Sequence, residues 1–374
     1  MLSLGLLFHV QRSTGSYGAA GVVLAALSLG QALSGPATGR LMGRVGMRPV
    51  IVVTVVLCAV SVAVIALAQL PEIGIVALAL AAGLTFPPIS SAVRTIYPKL
   101  VNARMLTPLF SLDASLQELI WIGGPVAVTF VATAVSTELG LMLSVVLLIG
   151  GGFWFASSPE VGRVRIPRSR RRFGAVLGRP PVLLATVVGF LVIAACADIE
   201  ASVPGAVGTA DATSGVVLAI WSLASLVGGF ALGRLPMRPW SLPLRLLIVT
   251  VGAAATPFAH GFVGLSLALV VSGFGLAPAL GVLSAIVSRS VRFSDTAEAY
   301  GWTTTGQLVG VALGAALAGQ FIDRFGASAS FASGAVLSAA GLLVAAIGAR
   351  VVPDLRGHDA GPIPDTAPVP VQPS

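Results

Sequence analysis

The chain has 374 residues, 56% of them hydrophobic and only 10% charged, and its 22 Lys+Arg against 14 Asp+Glu give a net charge of +8. Mean hydropathy is +0.97. So few charges cannot cover that much apolar surface in water, which excludes an ordinary soluble fold and makes lipid the solvent for most of the chain.

Apolar stretches of about 20 residues recur, the length that crosses a ~30 Å hydrocarbon core. They lack the short alternating pattern of a barrel, and helices satisfy their own backbone groups in lipid, so helices are predicted. Residues 1–10 are apolar but reach about half the length of a spanning helix. No basic segment precedes them and no small-residue cleavage site follows, so they do not read as a signal peptide. They are expected to be the outer end of a first helix that begins upstream of Met1. Further spans are predicted at 18–41, 48–69, 73–95, 107–134 and 137–157, then at 182–203, 212–235, 242–260, 262–287, 297–320 and 327–350. That makes an all-α integral membrane protein of about twelve helices, the first incomplete.

Within this series the second span returns. GVVLAALSLGQALSGPATGR at 21–40 and GVVLAIWSLASLVGGFALGR at 215–234 are identical at eleven of twenty positions. One such long offset indicates two duplicated bundles rather than a solenoid of short units. The bundles are expected at 1–157 and 182–351, joined by a basic loop at 158–181 and followed by a Pro-rich tail at 352–374 that is expected to be disordered. If the 18–41 span runs inward, 20 of the 22 Lys+Arg fall on the cytoplasmic side and only Arg12 and Arg324 fall outside. That bias fixes a topology with a cytoplasmic C-terminus. The run RVRIPRSRRR in the central loop then serves topology and anionic lipid, and the net charge gives no argument for a nucleic-acid partner.

Two homologous six-helix halves, a basic central loop and an arginine-rich turn after the second helix of each half resemble the major facilitator superfamily. The resemblance covers the chain apart from its start and its tail. Its specific motif is the loop after the second helix, here Gly39-Arg40-Leu-Met-Gly43-Arg44-Val-Gly46-Met-Arg48. In the family this loop steadies the outward-facing state. The glycines permit close helix approach and the turn, and the arginines can meet helix C-terminal dipoles and acidic groups. The family's acidic residue is replaced here by Gly43, and the second copy, Gly233-Arg234-Leu-Pro-Met-Arg238, lacks an acid as well. A formal match at Gly319-Gln-Phe-Ile-Asp323-Arg324-Phe-Gly326 falls on the outer side and reads as a local turn with an ion pair. Gly123-Gly124-Pro125 resembles the centre of the family's antiporter motif and favours export over import.

Ionisable groups inside lipid-length helices are costly unless they face a water-filled path or a partner. In LFSLDASLQELIWIGGPV, Asp113, Gln117 and Trp121 share a face with Glu118 beside it. Glu118 would lie ~16 Å along that helix, near mid-membrane, and is the first candidate for a proton carrier, with pairing to Arg94 as the structural alternative. Asp113, only ~9 Å in, reads rather as an interfacial structural group. Arg94 either reaches Asp113 or, by default, snorkels to lipid headgroups. Asp198 and Glu200 are two apart and point in different directions, so at most one faces a cavity, and Glu200 is chosen by analogy with similar transporters. Trp302 and Gln307 on the 297–320 span and Gln31 on the second span are lesser polar candidates, Trp302 reading also as an interfacial anchor.

His9, His260 and His358 are scattered, and Cys58 and Cys196 lie in apolar runs as unpaired thiols. No metal or other cofactor is therefore expected. No phosphate-cradling loop is present, which leaves a gradient as the energy source. The expectation is a plasma-membrane secondary transporter, not an enzyme, with a small-molecule substrate and a proton or other ion gradient as its partners. It would work as a monomer by rocking one bundle against the other, in proton-coupled export of a small amphipathic molecule or drug. Uptake of a sugar or organic acid, or a non-transporting sensor or truncated paralogue, is the alternative.

Overall fold

The computed structural model describes residues 2–15, 17–102, 105–117, 120, 123, 135–169, 172–207, 213–235, 237–352 and 361–365. The first half holds α1 (Leu2–Thr14), α2 (Tyr17–Val45), α3 (Met47–Leu67), α4 (Glu72–Leu84), α5 (Ile89–Leu100), α6 (105–117) and α7 (Thr137–Ser157). A short helix α8 (Pro159–Arg163) opens the central loop. The second half holds α9 (Pro180–Val207), α10 (Thr213–Leu232), α11 (Ser241–Ala255), α12 (Gly261–Ser290), α13 (Thr296–Phe325) and α14 (Ala327–Ile347). Among the described residues ten spans are long and apolar enough to cross a membrane, with 72–100 counted as one.

Local chemistry sets several of the boundaries. Gly46 turns the chain between α2 and α3 at φ 99°, a conformation that costs glycine nothing. Ser136 caps α7 by accepting a hydrogen bond from the Leu139 N–H at 3.1 Å. The predicted 73–95 span is broken between Leu84 and Ile89, because Pro87 and Pro88 lack backbone donors and cannot continue α4. The break re-aims α5 and with it Arg94 and Tyr97.

The halves repeat in three dimensions. In the first, α2 packs on α4, α3 on α4 and α7, and α1 on α2 and α7; in the second, α10 packs on α12, α11 on α12 and α14, and α9 on α10 and α14. Because successive spans alternate direction, the basic segments at 40–48, 163–179, 234–238 and 289–292 all lie at one end of the molecule, the basic end, while Arg12 and Arg324 lie at the other.

The halves meet at the basic end along two related seams. On one, Gly35 and Gly39 of α2 lie against Gly301 and Ala297 of α13, and any side chain at Gly39 would overlap the Ala297 carbonyl. On the other, the repeat partners of those glycines, Gly229 and Gly233, lie against Ser115 and Ser111 of α6. The duplicated stretch thus supplies the same glycine pair to both seams, allowing backbone to approach backbone. Leu106 and Phe110 of α6 enter the hydrophobic core of the second half, and Ala297 of α13 enters that of the first.

Residues 361–365 of the tail lie against this end. Ile363 donates to the Val291 carbonyl at 2.9 Å and accepts from the Phe293 N–H at 3.1 Å. The Asp365 carboxylate accepts from the Ser294 hydroxyl at 2.6 Å.

Candidate functional site: a buried ion pair beside the inter-half gate

The α5 segment brings a cation into the membrane-spanning region. Arg94 is buried, and its Nε donates to Asp113 Oδ2 of α6 at 3.0 Å. Two further donors complete the carboxylate. The Tyr97 hydroxyl, one turn along α5, donates to Oδ1 at 3.0 Å, and the Gln117 amide, one turn along α6, donates to Oδ2 at 3.0 Å. A pair this deep is a poor source of net stability, because desolvating both charges offsets most of their attraction. It is also hard to break, since removing one charge strands the other. The snorkelling expected of Arg94 is therefore corrected, and Asp113 is more than an interfacial group. The cause is the break at Pro87 and Pro88, which turns this face of α5 toward α6.

The cluster is joined to the second half through aromatic rings. Tyr97 meets Phe110 edge-on at 5.7 Å between centroids, and Phe110 meets Tyr300 of α13 at 6.3 Å. Tyr300 is fully buried and its hydroxyl donates to the Ser284 carbonyl of α12 at 3.0 Å. The ion pair thus sits behind α6, the helix that forms one seam, and touches through Phe110 the helix that forms the other.

At the basic end, Glu298 in the first turn of α13 joins three segments. Its carboxylate lies 3.4 Å from Arg40 Nη1 and accepts the Gly174 N–H at 2.7 Å. Arg40 also lies 5.8 Å from the Phe173 ring centroid, Phe173 packs on Trp302 at 5.7 Å, and Lys99 lies 4.5 Å from the Phe293 ring centroid. Glu298 supplies the acid missing at Gly43. Gly43 instead leaves room for the central loop, whose Pro167 carbonyl runs 3.2 Å from where a Cβ would stand. Arg48 Nε donates to the Ala156 carbonyl at 2.7 Å near the end of α7. Arg245, not singled out from the sequence, plays the comparable part in the second half, donating to Leu232 at the end of α10 at 2.8 Å and to Pro278 at 2.9 Å. Arg44, Arg234 and Arg238 are exposed.

The other candidates are dispersed. Asp198 and Glu200 do diverge, but the buried one is Asp198, fully enclosed against α14, while Glu200 is exposed. Trp302 packs on the central loop through Phe173, and Gln307 packs within the second half against Gly189 of α9. Gln31 is half-buried on α2. Asp323 and Arg324 are both exposed and form no ion pair among the described residues. Glu118, Trp121, Gly124 and Pro125 lie outside the described residues. Cys58 is buried and Cys196 half-buried. Glu298 and Tyr300 were missed although a signal existed: an acid and a phenol in the opening turns of an apolar span.

The fold has solved counterparts. The crystal structure of the human organic anion transporter TETRAN superposes with a TM-score of 0.69 at 16% identity, covering 92% of this chain and 89% of that one. The E. coli fucose:proton symporter gives 0.68 at 16%, covering 93% and 97%, and a bacterial homologue of the iron transporter ferroportin in its outward-facing state gives 0.66 at 13%, covering 93% and 97%. At such identities these likenesses establish the fold alone. No curated protein sequence matches the chain. A family model described as Major Facilitator Superfamily matches residues 1–235, more than half of the sequence. On that match, carried by a fold of two repeated helical bundles, the chain belongs to the major facilitator superfamily of membrane transporters.

Proposed function

We propose that the protein is a plasma-membrane secondary transporter that exports a small amphipathic molecule in exchange for protons, and that this structure is its state closed toward the cytoplasm. The observation that carries the reading is the Arg94–Asp113 pair with Tyr97 and Gln117, an expensive intramembrane charge cluster placed directly behind the closed seam. Protonation of Asp113 would release Arg94 from its only described carboxylate and loosen α5 against α6, while Phe110 and Tyr300 pass that change to the second half. Glu118, five positions after Asp113 in the sequence, is a second proton carrier on this reading. The orientation rests on the basic end being cytoplasmic, as the distribution of arginines supports.

The test is uptake of a fluorescent amphipathic dye into proteoliposomes with an acidic lumen. Wild type is expected to accumulate dye and discharge the gradient. Asp113→Asn and Glu118→Gln are each expected to abolish gradient-driven accumulation while the protein still folds. Accumulation unaffected by the gradient, or by both substitutions, would overturn proton-coupled export. Likeness to a fucose:proton symporter and an organic anion transporter supports a second reading, uptake of a sugar or organic acid. Proton movement evoked by those solutes and not by the dye would establish it, and silence toward all of them would favour a non-transporting member of the family.

A further inference from the structure

A second polar cluster lies in the half that the ion pair does not occupy. Asp198 of α9 is fully buried, with Ser202 one turn further along α9 and Ser330 and Ser333 on the first two turns of α14. Four oxygen–oxygen contacts tie the group together. Ser333 Oγ lies 2.5 Å from Asp198 Oδ2, Ser330 Oγ 3.1 Å from Oδ1, Ser202 Oγ 2.6 Å from Ser330 Oγ, and Ser202 Oγ 2.7 Å from the Asp198 carbonyl. A fifth contact, from Ser333 Oγ to the Ser330 carbonyl, measures 2.9 Å.

The hydrogens do not suffice. Each serine hydroxyl carries one, while a carboxylate and a carbonyl only accept. With Asp198 ionised the three hydrogens serve the 2.5, 2.6 and 2.7 Å contacts, but Oδ1 is left facing the Ser330 oxygen at 3.1 Å without one, and a fully buried charge is left with no cation beside it among the described residues. One added proton on the carboxyl serves all four: carboxyl to Ser330, Ser330 to Ser202, Ser202 to the Asp198 carbonyl, and Ser333 to the second carboxyl oxygen. A metal ion fits less well. Oxygens that share a cation at about 2.3–2.6 Å stand roughly 3 Å or more apart, wider than three of the spacings here. No cation replaces the proton either. Among the described residues no ion pair to Asp198 exists within 4 Å; of the ionisable groups on the elements packed against it, Glu298 on α13, Arg289 on α12 and Arg350 after α14 lie at the basic end, and Asp323 and Arg324 at the other end of α13 are exposed. Glu200 on α9 itself is exposed, and α10 and α14 carry no charged residue.

We infer that Asp198, Ser202, Ser330 and Ser333 form a proton-binding site separate from the Arg94–Asp113 pair, in which the carboxylic acid of Asp198 closes a ring of hydroxyl hydrogen bonds between α9 and α14. The exchange is a simple one: the acid O–H breaks, its electron pair stays on the carboxylate, and the proton goes to water at the end of the bundle opposite the basic loops, near which Ser330 lies. The site also bears on the gate. Gly314 lets the α13 backbone come against Ala194 and Asp198 of α9, so the ring is built onto the helix whose other end carries Gly301 and Glu298. Any coupling of this proton to transport rests on the function proposed above; the site itself does not.

Infrared difference spectroscopy on the full chain in nanodiscs tests it without a substrate. Wild type is expected to show a carboxylic-acid C=O band that shifts in D2O, disappears on raising pH, and is missing from Asp198→Asn. Ser330→Ala and Ser333→Ala should each move that band, and Asp113→Asn should leave it in place. Asp198→Asn, an isostere of the protonated acid, should fold and melt at or above the wild-type temperature. Identical wild-type and Asp198→Asn spectra at every pH would overturn the site. Loss of the band on adding sodium at constant pH would replace the proton by a metal ion. Failure of dye transport with the Asp198 band intact would sink the transport reading alone.

Discussion

Removing one member of the buried pair should cost far more than removing both. Arg94→Ala leaves the half-buried Asp113 charge with only Tyr97 and Gln117, and is expected to destabilise the folded state by about 1–3 kcal/mol. The double change Arg94→Met with Asp113→Leu should be close to neutral in stability and devoid of gradient-driven transport. Thermal unfolding in detergent checks the first part and the proteoliposome assay the second. If Arg94→Ala unfolds no earlier than wild type, the pair is not desolvated as described. At the gate, Arg40→Glu should weaken closure and Glu298→Arg in the same chain should restore it, with a coupling of about 1–3 kcal/mol. Cysteine accessibility along the basic end of α2 reports it; an additive double variant would show that the two side chains do not meet.

The seams depend on absent side chains. Gly301→Leu would drive bulk into the Gly35 backbone, and Gly229→Leu into Ser115. Each is expected to shift the population away from the closed state, read as a lengthened distance between spin labels on the basic ends of α2 and α13. An unchanged distance distribution in both would mean that the halves are not held at these glycines. Much of this level was legible beforehand. Spans and repeat followed from apolar length and an eleven-in-twenty identity, and the glycines of the Gly39 to Arg48 motif pointed to a turn in this stretch, which the structure makes at Gly46. The partners were not legible. Arg94 finds Asp113 because two prolines interrupt an apolar run, and Glu298 finds Arg40 because two helices 258 positions apart cross at glycines. Periodicity within one helix carries no information about what crosses it. The same limit hid the surroundings of Asp198, since its divergence from Glu200 is local but the enclosing serines come from α14.

The two halves form one machine only if all the basic segments share a side of the membrane. A cysteine introduced at Arg168 and one at Arg324 are expected to react with an impermeant maleimide from opposite sides of sealed vesicles, and labelling of both from one side would invert the proposed orientation. The strand-like pairing of residues 361–365 with 291–294 then takes on a practical meaning. The backbone that receives Ile363 and Asp365 is the threshold of α13, and α13 carries half of one seam. A bulky reporter fused close behind Asp365 would therefore weigh on the opening that it was meant to observe.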